Sequence, residues 1–346
     1  MANAAAKPVK APRVKKDPTQ SLKKTPLQRF LINFKKNWQL HLMILLPLAY
    51  IIIFAYLPMY GIQIAFRQFT IKDGITGSDW VGLRQFEKFF EDRNWFQYVK
   101  NTLTISLYSL AAGFPIPIIL ALMLHVNEHP VLKKITQNVS YVPHFISTVV
   151  LVGILNQVFK PFNGLFASLV LTFDEMLSGN LTPFLLSIGI SPNEDILVNP
   201  DAFYHLYVWS GVWAAMGWSA ILYVAALAGV PLELHEAAKI DGASRWRRVL
   251  SVDLPAILPT ISILLILRFG SVMSVGYEKV FLMQYGTNMS KSQIISTYVY
   301  RNGLTKASNY SFGSAVGLMN SVINTSLVLL VNWITNKLSD GESGLF

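Results

Sequence analysis

No cysteine occurs among the 346 residues, which excludes a disulfide scaffold, thiolate metal sites and a cysteine nucleophile. Charge is scarce: Asp, Glu, Lys and Arg make up 14% of the chain, against about 25% in an ordinary soluble domain. Such a chain cannot cover a water-facing surface in the usual way, which argues against a soluble enzyme. No G-x-x-x-x-G-K-[ST] stretch is present, so the chain carries no phosphate-cradling loop for a nucleotide. What it has in abundance is apolar surface, 52% hydrophobic residues and a mean hydropathy of +0.41. The net charge of +10 would by itself suggest nucleic acid. In so hydrophobic a chain, basic residues instead collect on the cytoplasmic loops of a polytopic membrane protein. Lipid, not nucleic acid, is the expected surrounding.

The N-terminal 39 residues hold ten Lys/Arg and no apolar run before Leu40, too long a basic stretch for a cleavable signal peptide. Residues 1–25 read as a disordered basic cytoplasmic tail. Over 26–39, Leu27, Phe30, Leu31, Phe34 and Trp38 recur at intervals of three and four with Arg29, Lys35 and Lys36 off that face. This pattern predicts an amphipathic helix lying in the anionic headgroup layer; the competing reading is a solvated tail. A C-terminal cytoplasmic tail is expected over 337–346.

Residues 40–336 hold six stretches long enough to cross a hydrocarbon core of about 30 Å. They lie near Leu40–Ile62, Thr102–Leu124, Tyr141–Phe159, Tyr204–Gly229, Ala256–Phe281 and Phe312–Thr335. With the N-terminus inside, the inner segments hold 17 Lys/Arg against 8 acids, and the outer loops 10 of each. That asymmetry predicts both termini in the cytoplasm. The fold class is therefore an all-α membrane protein of six transmembrane helices, N-in and C-in, multi-pass in the cell membrane. Two outer connections exceed a simple turn. Residues 66–100 carry Trp80, Phe86, Phe89, Phe90, Trp95 and Phe96, enough for a packed elbow. Residues 161–203 carry acids and no base; a connection of that length is usually functional, either docking an external partner or closing over the protein's own cavity.

Between spans four and five runs PLELHEAAKIDGASRWRRVLSVDLP, Pro231–Pro255, cytoplasmic by the topology. Pro231 and Glu233 suit a first helical turn, Glu236 to Lys239 are strong helix formers, and Gly242 permits the helix to end. A short helix and turn are thus presented to the cytosol as a knob between two spans. Glu236-Ala237-Ala238, then Asp241-Gly242-Ala243, then Leu254-Pro255, resemble the signature loop of membrane subunits of binding-protein-dependent ABC importers, with no gap in the spacing. The resemblance implies a coupling helix that inserts into a cleft of the ATPase subunit. Glu236 would be the charged contact, Ala237 and Ala238 the faces allowing close approach, and Gly242 the turn, flanked by Asp241 and Ala243. Further stretches are similar to the branch that imports oligosaccharides and polysaccharide fragments, some of whose members are assigned to uronic-acid (aldouronate-type) sugars. These are YLPMYGIQIAF (56–66), WVGL (80–83), NTL (101–103), GFPIPIILA (113–121), YVPHFIS (141–147) and TYVYRNG (297–303). The connection over 171–194 is longer than that family's usual link. The resemblance implies a bacterial importer in which ATP and magnesium reside on two separate ATPase subunits and this chain, itself no enzyme, holds no cofactor. A second permease subunit, more often a different chain than a copy, and an extracellular solute-binding protein complete the assembly.

Charged groups within a span are costly and default to functional hypotheses. Arg268, about twelve residues into the predicted fifth span, would pair either with an acidic sugar or with a structural partner. Glu278 and Lys279 fall near the outer end and are expected at the interface. Aromatic faces and amides suit sugars, so Trp209, Trp213 and Tyr223 of span four and Asn156 and Gln157 of span three are pathway candidates. The competing fate of the tryptophans is lipid contact or packing. Gly313, Gly317 and Ser321 at four-residue spacing predict a helix-packing face. His125 and His129, four apart, have zinc-ligand spacing but no evident further ligand, so no metal site is predicted. A secondary carrier or channel is the alternative function, but no repeat relates the two halves. A membrane enzyme on lipid-linked sugars would want clustered acids or histidines at one face, which the sequence does not offer.

Overall fold

The computed structural model describes residues 34, 36–177, 179–187, 191, 194–305 and 309–338. The expected tail over 1–25, most of the helix over 26–39 and most of the tail over 337–346 lie outside them. The chain separates into two units, one up to Gly61 and one from Ile62 onward. In the first unit, α1 (Trp38–Ile51) runs into a π turn at Ile52–Tyr56 and buries no residue of its own. An apolar helix without a core has its stability from solvent other than water, which is the physical mark of a lipid-facing span.

The second unit is helical apart from one isolated bridge between Arg67 and Trp80 among the described residues. Its order is α2 (Arg84–Glu91), α3 (Trp95–Gly113), α4 (Pro115–Val126), α5 (Pro130–Tyr141), α6 (Thr148–Val158), α7 (Leu165–Met176), α8 (Pro200–Ala228), α9 (Leu232–Ile240), α10 (Leu254–Phe269), α11 (Tyr277–Leu282), α12 (Ile295–Val299) and α13 (Tyr310–Leu338). Among the described residues five helices are long and apolar enough to cross a membrane, and six if the bent pair 130–145 and 148–158 is one span. The elbow ahead of α3 is packed as its aromatics predict. Phe66 stacks on Trp80 at 5.5 Å, Arg67 donates to the Ser78 carbonyl at 2.7 Å, and Phe89 is fully buried.

Two predicted spans differ from the continuous helices that hydropathy suggests. The third is bent by 104°: Pro143 sits in a 3-10 turn after α5, and the Ser147 hydroxyl restarts the helix by accepting from Val150 N. The fifth does not run to Phe281. It ends at Phe269, and α11 begins only at Tyr277. Gly270 lies so close to α13 that a Cβ there would stand 2.6 Å from Val328 Cγ2.

Three apolar clusters tie the unit together. Ala121, Ala220, Tyr223, Leu227 and Ile257 join α4, α8 and α10. Ile105, Val152, Phe203, Val280 and Met283 join α3, α6, α8 and α11. Phe89, Tyr98, Tyr298, Phe312 and Val316 join α2, α3, α12 and α13. The tightest crossing is that of α5 and α8, where a Cβ on Gly217 would stand 2.1 Å from the Ser140 carbonyl oxygen. Gly217→Ala is therefore expected to destabilise the chain by about 1–3 kcal/mol through overpacking. Gly113→Ala, whose Cβ would meet only Val212 at 3.7 Å, should leave stability unchanged. Thermal unfolding in detergent compares them, and equal melting temperatures would mean that the crossing can yield.

Candidate functional site: a cationic cavity and an exposed helical knob

A cavity of about 320 Å³ opens between α3, α8 and the end of α10. Its hydroxyls come from Ser106, Ser109, Ser219, Ser271 and Ser274, and its charges from Arg268 and Lys279. Among the described residues no carboxylate lines it. A second hollow of about 410 Å³ shares Phe114, Ser219 and Arg268 and reaches Trp218 and Tyr223.

The break after α10 builds this cavity. Backbone that leaves a helix at membrane depth must find partners within the protein, and here side chains from three helices supply them. Asn324 of α13, buried, accepts from Met273 N at 3.0 Å and donates to Ser274 Oγ at 2.8 Å. Ser106 of α3 donates to the Val272 carbonyl. Ser296 of α12 donates to the Val275 carbonyl at 2.5 Å. The chain then turns into α11 and delivers Lys279, whose Nζ donates to the Tyr207 carbonyl at 2.7 Å and lies 4.5 Å from the Tyr207 ring. Tyr207 is the eighth residue of α8, about 10 Å along it at 1.5 Å per residue. Gly211 leaves room, since a Cβ there would stand 3.3 Å from Nζ. Arg268 occupies the last turn of α10. The ion pairs among the described residues join His125 and His235 to Asp253 and Arg245 to Glu128; neither Arg268 nor Lys279 belongs to one.

The other pathway candidates divide. Tyr223 shares the second hollow with Arg268. Trp209 and Trp213 do share a face, but they line a separate apolar groove against α6, with Leu151 and Leu155. Trp209 Nε1 donates to Tyr108 Oη at 2.9 Å. Asn156 is occupied, accepting from Tyr285 Oη at 2.9 Å, and Gln157 is exposed. Gly313 packs against Gly303, where an added Cβ would stand 3.3 Å from Gly313 Cα; Gly317 and Ser321 face outward. Lys279, expected at the interface, is the cavity residue that sequence reasoning missed. Its signal was the glycine and serine cluster just before it, Gly270, Ser271, Ser274 and Gly276.

The knob is built as its sequence predicts. α9 ends at Ile240 with Asp241 as its C-cap, and Gly242 takes φ +77°. Ala243 N donates to the Ala238 carbonyl at 2.9 Å and Gly242 N to the Lys239 carbonyl at 3.0 Å, the two bonds of a Schellman cap. Ser244 then caps the turn Arg245–Arg248, accepting from Arg247 N, and a π turn at Val249–Asp253 leads into α10. Glu236, Ala237, Asp241 and Gly242 are exposed. So are Leu232, Leu234, Ile240 and Trp246, the last two at 86% and 75%, apolar surface of the kind that marks a partner's seat. Outside the spans, the helices Leu165–Met176 and Leu181–Ser187 pack against each other as a helical hairpin. Asp174 caps it by accepting from Leu181 N and Thr182 N, and the bonds from Thr182 hold its carboxyl below the usual carboxylate range.

These features define a helical membrane permease with a polar cavity and a cap for a partner. Residues 113–340 match the pattern of the binding-protein-dependent transport system inner membrane component family. The chain is 38% identical over 324 residues to the polygalacturonan/rhamnogalacturonan transport system permease protein YteP of Bacillus subtilis (strain 168), covering 94% of this chain and 95% of that one. It is also similar to a subunit in the crystal structure of a bacterial ABC transporter involved in the import of the acidic polysaccharide alginate. There the TM-score is 0.74 at 33% identity, over 89% of this chain and 99% of that one. A second structure, the bacterial alginate ABC transporter in complex with alginate pentasaccharide-bound periplasmic protein, gives a TM-score of 0.75 at 32% identity over 92% and 100%. The chain belongs to the family of binding-protein-dependent transport system inner membrane components. It is a multi-pass permease subunit of an ABC importer in the bacterial cytoplasmic membrane, and a solute-binding protein is its partner.

Because the chain has no native cysteine, the sign of the cavity's field can be read by thiol labelling. Single variants Ser109→Cys and Ser271→Cys should react with a sulfonate-bearing reagent on the order of ten times faster than with a quaternary-ammonium one. The preference should shrink in an Arg268→Gln background. Equal rates in both backgrounds would mean that the cations do not set the field there.

Proposed function

We propose that this subunit lines half of the pathway for an acidic oligosaccharide, beside a second permease that is a different chain. The observation that carries this reading is a serine-lined cavity that, among the described residues, holds two cations and no carboxylate. A uronate carboxylate would pair with the Arg268 guanidinium or the Lys279 ammonium as a charge-assisted bond, and the hydroxyls would bond the sugar's own. The acidic polymer named for the alginate importer supports the same chemistry. Both termini are cytoplasmic in this reading, by the excess of basic residues on the inner segments. The hairpin over 165–187 then faces outward, where the solute-binding protein delivers its cargo.

On the inner side are two ATPase subunits, which hold ATP and magnesium, and one of them seats on α9. Glu236 supplies the charged contact, Ala237 and Ala238 the close approach, and Asp241, Gly242 and Ala243 the rigid turn. The exposed Leu232, Leu234, Ile240 and Trp246 support this assignment, since they wait for a cover in the isolated chain. Closure of the ATPases would push α9 and, through it, α8 and α10. Cargo and ATP must favour different states for such a cycle to run.

Two experiments test these assignments. In proteoliposomes containing the whole importer, Arg268→Gln and Lys279→Gln should each raise the half-saturating concentration for an oligouronate. The expected rise is about 10–100-fold, as a charge-assisted bond of about 1.5–3 kcal/mol implies, with uptake of a neutral oligosaccharide unaffected. Loss of both in equal measure would remove the acidic-sugar reading. Separately, Glu236→Ala and Gly242→Ala should insert normally and retain ATP hydrolysis while uptake falls about tenfold or more. The second works by forcing a Cβ into a left-handed conformation that costs about 1–2 kcal/mol. Uptake that stays tied to hydrolysis in both variants would end the coupling assignment.

A further inference from the structure

Where α9 meets the roots of two spans, three metal-ligating side chains converge from distant parts of the chain. His125 lies at the end of α4, His235 on α9, and Asp253 at the end of the π turn that leads into α10. Asp253 Oδ1 stands 3.5 Å from His125 Nε2 and 3.2 Å from His235 Nε2, and one ligand atom from each lies within 4.8 Å of the others. His129, the sequence neighbour with ligand spacing, is not in the cluster.

We propose that these three residues form a site for a divalent transition-metal ion of the zinc type. A tetrahedral zinc with bonds of about 2.0–2.1 Å sets neighbouring ligand atoms about 3.3–3.4 Å apart, close to both separations from the aspartate. Burial is the second, independent observation. Asp253 is 1% exposed, yet among the described residues its Oδ1 has no hydrogen-bond partner, and neither has the buried Nε2 of His235. The two atoms are near each other but not aligned to share a proton. A buried carboxylate oxygen without a donor is costly, and a cation between it and two imidazoles removes that cost. Imidazole with one carboxylate selects zinc and its neighbours over calcium or magnesium, which take oxygen ligands. The His125 side chain is 27% exposed, which leaves a way in and a fourth position for water. A metal bound there staples α9 to the ends of α4 and α10, so the knob and both spans move as one body. The site stands on this geometry and goes beyond the transport reading.

The test is calorimetric titration of the tag-free full-length chain in nanodiscs with zinc, and with cobalt for its visible absorption. One ion per chain is expected, with the absorption of tetrahedral cobalt. Zinc should raise the melting temperature of the chain. His235→Ala, Asp253→Asn and the partly exposed His125→Ala should each weaken binding by at least the 10–100-fold, about, that loss of a mere supporting partner costs. They should also abolish the thermal shift, whereas His129→Ala should bind as the unaltered chain does. If Asp253→Asn does not fold, the two histidine variants decide. Absence of saturable binding at millimolar zinc, or equal affinity in the histidine variants and the parent, would overturn the site and leave only the electrostatic pairing of the two histidines with Asp253 in its place.

Discussion

The constraint on which the rest of this structure depends is that peptide groups leaving a helix within the membrane must be paired inside the protein. The segment after Phe269 is where the chain meets that demand most openly. Asn324, Ser106 and Ser296 take up the loosened backbone at Val272, Met273 and Val275, and Gly270 lets α13 pass close by. Because those partners come from α3, α12 and α13, the break is tied to the surrounding helices instead of hanging free. An unbroken fifth helix would carry Lys279 onward along its own axis. The break returns it to α8, and the same event opens the serine-lined space that Arg268 borders.

Local features of the chain were legible in its sequence, and long-range ones were not. The knob is the clearest case: Glu236 to Gly242 encode helix and stop within seven residues, and the cap at Gly242 forms through bonds to Ala238 and Lys239. Spans one, two, four and six follow from hydropathy, because each is a single run whose ends are marked by charge or proline. Spans three and five defeat the same reading for different reasons. Val272, Met273 and Val275 are as apolar as a helix interior, so averaging over twenty residues hides the break in span five. The limb ahead of Pro143 carries Lys133, Lys134, Gln137 and Asn138, so hydropathy starts the third span only at Tyr141 and leaves out the limb whose direction makes the bend. Amides mislead in another way. Asn156 in a span suggests a ligand contact, yet its oxygen is held by Tyr285, a residue 129 positions away that no periodicity could bring forward. His125 stands four residues from His129 in sequence, while the partners it meets, His235 and Asp253, lie on α9 and before α10.

The two functional regions are built to different mechanical specifications. The cavity is assembled from side chains on separate helices, and its charges sit at the end of one helix and on a short detached one. The knob is stiff within itself, through two consecutive caps at Gly242 and Ser244, and carries exposed apolar residues outward. Under the proposed function, a cavity assembled from separate helices joined to a stiff knob is the arrangement that converting a push into a change of cavity shape requires. The cluster of Ala121, Ala220, Leu227 and Ile257 joins α4, α8 and α10 between the two, so displacement of α9 has a packed route to the helices around Arg268.

The crossing of α5 and α8 restricts what that displacement can be. At Gly217 the two backbones touch with no side chain between them. The next residues on that face of α8 are Trp213, Ala214, Ala220 and Ile221, and each carries a Cβ. Drawing α8 along α5 by one turn, about 5.4 Å, would therefore bring a Cβ onto the Ser140 carbonyl, whereas a tilt about Gly217 keeps the glycine at the contact. The crossing has the form of a fulcrum, and a helix that tilts on it moves its two ends in opposite directions.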